Sequence, residues 1–179
     1  MNTDQQHIKQ SNSTETRVWD LMKEIYDPEI PVISIVDLGI VRGIDINTSA
    51  NNSNPQATII ITPTYSGCPA MDVIAMNIRM KLLEHGFKNV VVKTILSPAW
   101  TTDWMSIEGK EKLKAFGIAP PNPSHSVCEP EIFQQQEIVQ CPNCNSVRTT
   151  MISRFGSTAC KALYKCDDCS EPFDYFKCH

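Results

Sequence analysis

Long apolar runs are missing from this sequence. No stretch of about 18 consecutive apolar residues occurs, so no membrane-spanning helix is expected. The opening residues, MNTDQQHIKQSNSTET, lack the apolar core of a secretory signal. The chain also lacks an excess of positive charge. Its formal charge is −4, which argues against broad electrostatic binding to nucleic acid or an anionic membrane. No glycine-rich nucleotide loop is present, and no Ser/His/Asp arrangement. None of the 4 histidines falls in a Glu-x-x-His pair or a two-His carboxylate set, so self-contained di-iron oxygenase chemistry is not expected. From these absences a cytoplasmic location is expected, where thiols stay reduced. Its 8 cysteines then point to metal ligation or thiol chemistry before disulfides.

What is present divides the chain. Hydrophobic residues are 41% and charged ones 20%, enough apolar material for a packed core. Residues 1–13 are polar and read as a disordered lead-in. From Thr14 the pattern is helical, with Val18, Leu21, Met22 and Ile25 on one face, until Asp27-Pro28 stops it. Ile44, Asp45 and Ile46 alternate as a half-buried strand does, and a polar loop, Asn47 to Gln56, follows. Ala57 to Thr62 (ATIIIT) is a strand, Pro69 to His85 a helix stopped by Gly86, and Asn89 to Leu96 another strand. A strand, helix and strand so close together predict a parallel pair with a crossover helix. A last helix covers Ile107 to Phe116. The expected fold is α+β: a small α-β-β-α-β-α layered domain over residues 14–118, then a C-terminal four-cysteine zinc ribbon. Between them, residues 119–137 carry Pro120, Pro121, Pro123 and Pro130 and read as a linker. Each unit is expected to fold independently of the other.

The ribbon, residues 138–179, holds Cys141-Pro-Asn-Cys144, then 21 residues, then Cys166-Asp-Asp-Cys169. Two residues between cysteines make a tight turn that aims both sulfurs at one point, and two such turns supply a tetrahedral site. A unit this small needs the metal to fold. The expected role is structural and the expected ion zinc, with rubredoxin-like iron the rival because it accepts the same four sulfurs. Cys160, Cys178 and His179 are surplus. Cys160 reads as a buried small hydrophobe, but all three are candidate additional ligands, with Cys128 or a partner's groups, of a second transient site. Arg148, Arg154, Lys161 and Lys165 could form a weak patch beside Phe155 and Tyr164, better suited to protein than to nucleic acid.

A second thiol site is expected at Thr62-Pro-Thr64-Tyr65-Ser66-Gly67-Cys68-Pro69, between the best strand and the best helix. Pro69 suits the first helical position, which sets Cys68 at a helix N-terminus. Free amides and the dipole there favour an anion, so a lowered thiol pKa is expected. Gly67 allows close approach of a ligand, and Thr62, Thr64 and Ser66 offer hydroxyls. Asp27 and Glu29 (DPEIP) and Asp37 (VDLG) precede it in the chain. On spacing alone Asp27 and Asp37 are equally well turn or cap residues.

DPEIP, VDLG and TPTYSGCP together resemble the small cytosolic domain of iron–sulfur assembly factors, the family that includes SufT. PAWTTDWMSIEGKEKLKAFGIAPP and the tail CPNCNS…FGSTACKALYKC…CSEPFDYFKCH resemble the PaaD (PaaJ) family of bacterial phenylacetate catabolism. The resemblance runs from about Val18 to His179. It implies an accessory component of the phenylacetyl-CoA 1,2-epoxidase system, in which other subunits carry the di-iron oxygenase and the iron–sulfur/flavin reductase. It maps the family's thiol onto Cys68 and its acidic pocket onto Asp27, Glu29 and Asp37, and it implies a transient iron–sulfur cluster.

Three functions are therefore expected to compete. The chain is an assembly factor delivering clusters to the reductase through Cys68, a structural or regulatory subunit of the epoxidase, or a thiol enzyme using Cys68. The expected partners are the other epoxidase components, the reductase above all, with a homodimer also considered.

Overall fold

A computed structural model describes residues 3–47, 56–121 and 138–177, with the side chains of the first helix from residue 13 onward. The expected loop between Asn47 and Gln56, most of the 119–137 linker, Cys128, Cys178 and His179 lie outside the described residues.

The first helix, α1, runs from Thr3 to Lys23. It therefore begins inside the segment expected to be a disordered lead-in. No proline or glycine interrupts residues 3–23, and extending an existing helix costs far less than nucleating one. Val18, Leu21 and Met22 on α1, and Ile25 just beyond it, are all buried as their spacing predicts. Strands β1 (Val41–Asn47), β2 (Gln56–Ile61) and β3 (Asn89–Thr94) form a three-stranded sheet with β2 in the middle. β1 and β2 pair antiparallel. β2 and β3 pair parallel, Ile59 opposite Val92, as the intervening helix requires. That helix, α2 (Ala70–Glu84), buries Met71, Ile74, Ile78 and Leu82, the face read from the sequence. It ends where the amides of Gly86 and Phe87 return to the carbonyls of Leu83 and Leu82. α1 packs on β1, α2 on β3, and the helices touch each other.

The segment between α1 and β1 coils beneath this layer and buries Ile30, Ile33, Ile35, Leu38 and Ile40. A 3-10 turn (Thr102–Trp104) and helix α3 (Ile107–Ala115) close over it. Gly39 lies at the contact with φ +74°, and a Cβ there would sit 2.4 Å from the Trp104 carbonyl oxygen. We predict that Gly39→Ala costs about 3 kcal/mol or more, from left-handed strain plus displaced backbone. A thermal melt indistinguishable from that of the unsubstituted chain would show that this contact gives way freely.

The second sheet has the order β4-β7-β6-β5, from β4 (Ile118–Ala119), β5 (Thr149–Ser153), β6 (Lys161–Cys166) and β7 (Pro172–Phe176). β4 comes from the end of the first domain and pairs with β7, Ala119 opposite Tyr175. The expected boundary between residues 118 and 119 thus falls inside a strand. Side chains alternate across a strand, so neighbouring residues enter different cores. Ile118 and Phe176 belong to the first core, whereas Ala119, Phe173 and Tyr175 belong to the ribbon core with Ala162 and Tyr164. Phe176 meets Trp100 edge to face at 5.9 Å. The ribbon sheet thus contributes side chains to the core of the unit it was expected to fold apart from.

Candidate metal centre and thiol pocket

The two CxxC turns fold alike. In each, the first cysteine's amide donates to a carbonyl five residues on: Cys141 to Ser146 (2.9 Å) and Cys166 to Glu171 (3.0 Å). The residue after each second cysteine, Asn145 or Ser170, takes a left-handed conformation, with φ of 61° and 64°. The turns thereby bring four sulfurs within 4.8 Å of one another. Cys141 and Cys169 sulfurs lie 3.8 Å apart, those of Cys144 and Cys166 3.5 Å. A tetrahedral ion with metal–sulfur bonds of about 2.3 Å requires sulfur–sulfur edges of about 3.8 Å. The donor set therefore fits a four-thiolate metal ion with no position left for a reactant. Asp168 ties the knuckles together by accepting from Ser146 Oγ and the Arg148 guanidinium. The surface patch expected nearby does not form as read, because Lys161 and Tyr164 are buried.

Cys68 takes its expected place before α2. Its sulfur accepts from the Ala70 amide, and its own amide donates to the Tyr65 carbonyl at 3.3 Å. Gly67 has φ +90°, and a Cβ built there would touch nothing within 4 Å, so this side of the loop is open. Thr62 and Thr64 are buried, Ser66 is exposed, and Thr62 Oγ1 has no hydrogen-bond partner. The expected low thiol pKa is corrected. Burial pushes the Cys68 thiol up, and the Glu29 and Asp27 carboxylates push it further, against the hydrogen bonds from Ala70 and Tyr65. The helix terminus is outweighed by desolvation and by negative charge contributed by a different part of the chain. The resting thiol is thus shifted toward its protonated form.

Glu29 and Asp27 act electrostatically on Cys68. Asp27 is buried, and its Oδ1 accepts from the amides of Glu29 (2.8 Å) and Ile30 (2.9 Å). That is the turn role allowed by the sequence, and it holds the carboxylate in place. Burial raises the Asp27 pKa despite those two bonds. Glu29 is raised by burial and then by Asp27. Asp37, grouped with them by the resemblance, does other work. It accepts from Ser106 Oγ (2.8 Å) and from Lys112, and its own carbonyl accepts from the Ser106 amide. Its contacts thus anchor the start of α3.

Burial alone would raise the Asp37 pKa, but hydrogen bonds from Lys112, Ser106 and Ser34 outweigh it and hold the pKa below the ordinary 3.8. We predict that Asp37→Ala destabilises the fold by about 2 kcal/mol at neutral pH, mostly through Ser106, since the Lys112 side chain is 45% exposed and its charge is screened. A depressed folded pKa stabilises above 3.8 and loses that contribution as pH falls through it. Denaturation at pH 7 and well below 3.8 checks this: the gap between the two proteins should narrow in acid, and an equal gap at both would refute the charge role.

Two residues of the pocket escaped the sequence reading. Tyr65 hydrogen-bonds with Cys68; it stood in the loop motif, but nothing in its type announced the role. Lys161, only 5% exposed, lies against Asp174 (3.4 Å) and acts electrostatically on both Asp27 and Glu29. It is more than 90 residues from Cys68, and no spacing rule links them.

Over 163 aligned residues the chain is 49% identical to an Escherichia coli (strain K12) protein named as a component of 1,2-phenylacetyl-CoA epoxidase, covering 90% of this chain and 91% of that one. Residues 126–177 match the PaaD zinc beta ribbon domain. The chain belongs to the PaaD family. A second domain family accounts for the other part of this PaaD sequence: residues 15–92 match the iron–sulfur cluster assembly protein family. That part is also 34% identical, over 101 residues, to a Porphyromonas gingivalis (strain ATCC BAA-308 / W83) protein named Fe-S protein maturation auxiliary factor, spanning 56% of this chain and 90% of that one. A solved domain of unknown function (DUF59) from Bacillus anthracis superposes with a TM-score of 0.51 at 26% identity, over 59% of this chain and 96% of that one. The four-cysteine centre of this PaaD chain is thus the metal site of a zinc ribbon. Cys68, Asp27 and Glu29 lie in the assembly-type part, and Lys161 of the ribbon part acts electrostatically on the two carboxylates. Among the described residues no helix is long and apolar enough to cross a membrane.

Proposed function

We propose that this PaaD-family protein is a maturation factor for the epoxidase system, handing iron–sulfur clusters to the reductase component, with Cys68 as a transient ligand. The observation that carries this reading is a half-buried thiol beside an open glycine, inside a domain that matches an iron–sulfur assembly family. A resting thiol shifted toward its protonated form suits a transient ligand. It is not committed to metal until cargo arrives and displaces the proton, as metal binding to thiols does. Asp27 and Glu29 are harder donors than sulfur and serve to set the charge of the pocket rather than to prefer a sulfide cluster. The zinc ribbon is structural, because four thiolates leave zinc no open position. The same shift weakens the reading as a nucleophilic enzyme, which needs the thiolate.

A stable epoxidase subunit is the second reading, and one observation favours it. Val73, Met76, Met80 and Leu83 are 40–53% exposed along α2, a face a larger assembly would cover. The deciding experiment is to purify the reductase component from cells with and without this protein and count its iron and sulfide. A maturation factor leaves the reductase depleted when absent and does not copurify in fixed ratio. A fully loaded reductase, with this chain retained in the purified complex, would establish the subunit reading instead.

A further inference from the structure

Among the described residues the ribbon has one cysteine outside the knuckles, Cys160, and it is buried in the first core. The ribbon's open surface lies elsewhere, along β5. That strand ends its sheet, and no further strand pairs with its outer side among the described residues. Its sequence, Thr149-Thr150-Met151-Ile152-Ser153, has no proline and no charge. Edge strands usually carry such residues, which repel other strands. The edges of the first sheet do, with Arg42 and Asp45 on β1 and Lys93 on β3. Along and beside β5, by contrast, Val147, Met151, Ile152 and Phe155 are 47–61% exposed.

The backbone of β5 fixes what this edge can accept. The Asp167 amide donates to the Arg148 carbonyl at 2.9 Å, and Thr150 lies opposite Lys165 on β6. Inward and outward bonding alternate along an antiparallel strand, so Thr149 and Met151 turn their N–H and C=O groups outward. An extended segment added there bonds to both residues. Opposite residues share a face, so Thr149 and Met151 stand on the face of Cys166 and Tyr164, which belong to the ribbon core. Partner residues paired with them extend that core and must be apolar. The partner residue between them falls beside Thr150 on the other face, with Lys165. There Asp168 is taken by Arg148, and Asp167 accepts from Thr150 Oγ1. Lys165 is exposed and has no ion pair among the described residues. A carboxylate in the partner meets that charge.

We propose that the edge of β5 is a docking site for an extended segment of another protein, apolar-acidic-apolar in sequence, which joins the four-stranded ribbon sheet as a further strand. A second copy of this chain fits less well, because pairing β5 with itself around Thr150 sets two Lys165 ammonium groups on one face. The inference goes beyond the maturation reading and needs no transfer of clusters. The ribbon's metal has a part in it, since the knuckle that carries Asp167 and Asp168 also holds Arg148, at the start of β5.

The test uses the full chain with its ribbon zinc in place and follows amide hydrogen exchange by NMR. The probe is a capped Val-Glu-Val-Glu-Val peptide, with Val-Lys-Val-Lys-Val as its control. In the free chain Thr149 and Met151 are expected to exchange fast and Thr150 slowly. An excess of the acidic peptide is expected to slow Thr149 and Met151 about tenfold, and the basic peptide to leave them unchanged. Met151→Lys places a charge on the open edge and should abolish the protection while leaving the zinc in place. Lys165→Glu should reverse the preference, so that the basic peptide protects and the acidic one does not. Thr149 and Met151 amides already slow in the free chain would show the edge covered by the chain itself or by a second copy, and would overturn the proposal. So would failure of the acidic peptide to slow them, or equal protection by both peptides.

Discussion

Stripping the ribbon's metal, by chelation or by Cys144→Ser, is expected to unfold residues 138–177 and to loosen the first domain as well. Structural zinc contributes on the order of 10–16 kcal/mol to small ribbons and fingers, far more than the ribbon's own core of Ala119, Val139, Ala162, Tyr164, Phe173 and Tyr175 could replace. The loss does not stop there. Phe176 is 1% exposed and packs on Trp100, itself 2% exposed, so unfolding β7 removes a large aromatic side chain from the first core. A deletion of that size costs about 3–5 kcal/mol, a large share of the stability of an ordinary domain. The preparation should hold one zinc per chain. Its removal should shift Trp emission to longer wavelength and lower the melting temperature of the helical signal. If the ribbon becomes protease-sensitive while the helical melt and Trp emission stay put, the shared core is energetically unimportant and the two units are independent.

The other large effect is expected from Cys68→Ser. Folding should be nearly intact, since oxygen can accept the Ala70 amide as sulfur does and Cys68 is half-exposed. The reductase made alongside it should nevertheless lack most of its iron and sulfide, and phenylacetyl-CoA turnover should fall with them. A hydroxyl at this place cannot act as a soft ligand at neutral pH. Iron and sulfide counts together with turnover separate the outcomes. Wild-type values of both would make Cys68 a packing residue. Lost turnover with a loaded reductase would favour the structural role within the epoxidase.

Local signals made much of this protein legible. The face of α2 formed by Met71, Ile74, Ile78 and Leu82 follows from helical spacing, and the parallel pairing of β2 with β3 from a helix between two short apolar strands. Two CxxC turns determined a metal site because each is a local structure and four sulfurs need only one meeting point. The placement of Cys68 before α2 followed from Pro69 in the same way. What the tertiary structure alone decided depends on charges and surfaces brought together from distant parts of the chain. The Cys68 thiol shifts up instead of down because it is partly buried and because Glu29 and Asp27, some 40 residues earlier, act on it electrostatically. Asp37 is held by Ser106 and Lys112, about 70 residues later in the chain, which no local pattern announces. Ile118 and Phe176 joined the first core while Ala119 and Tyr175 joined the ribbon core, because β4 pairs with β7 and successive side chains of one strand face opposite ways. Spacing along the chain encodes periodicity and turns, whereas the electrostatics of a pocket depend on separations in space that no local pattern specifies.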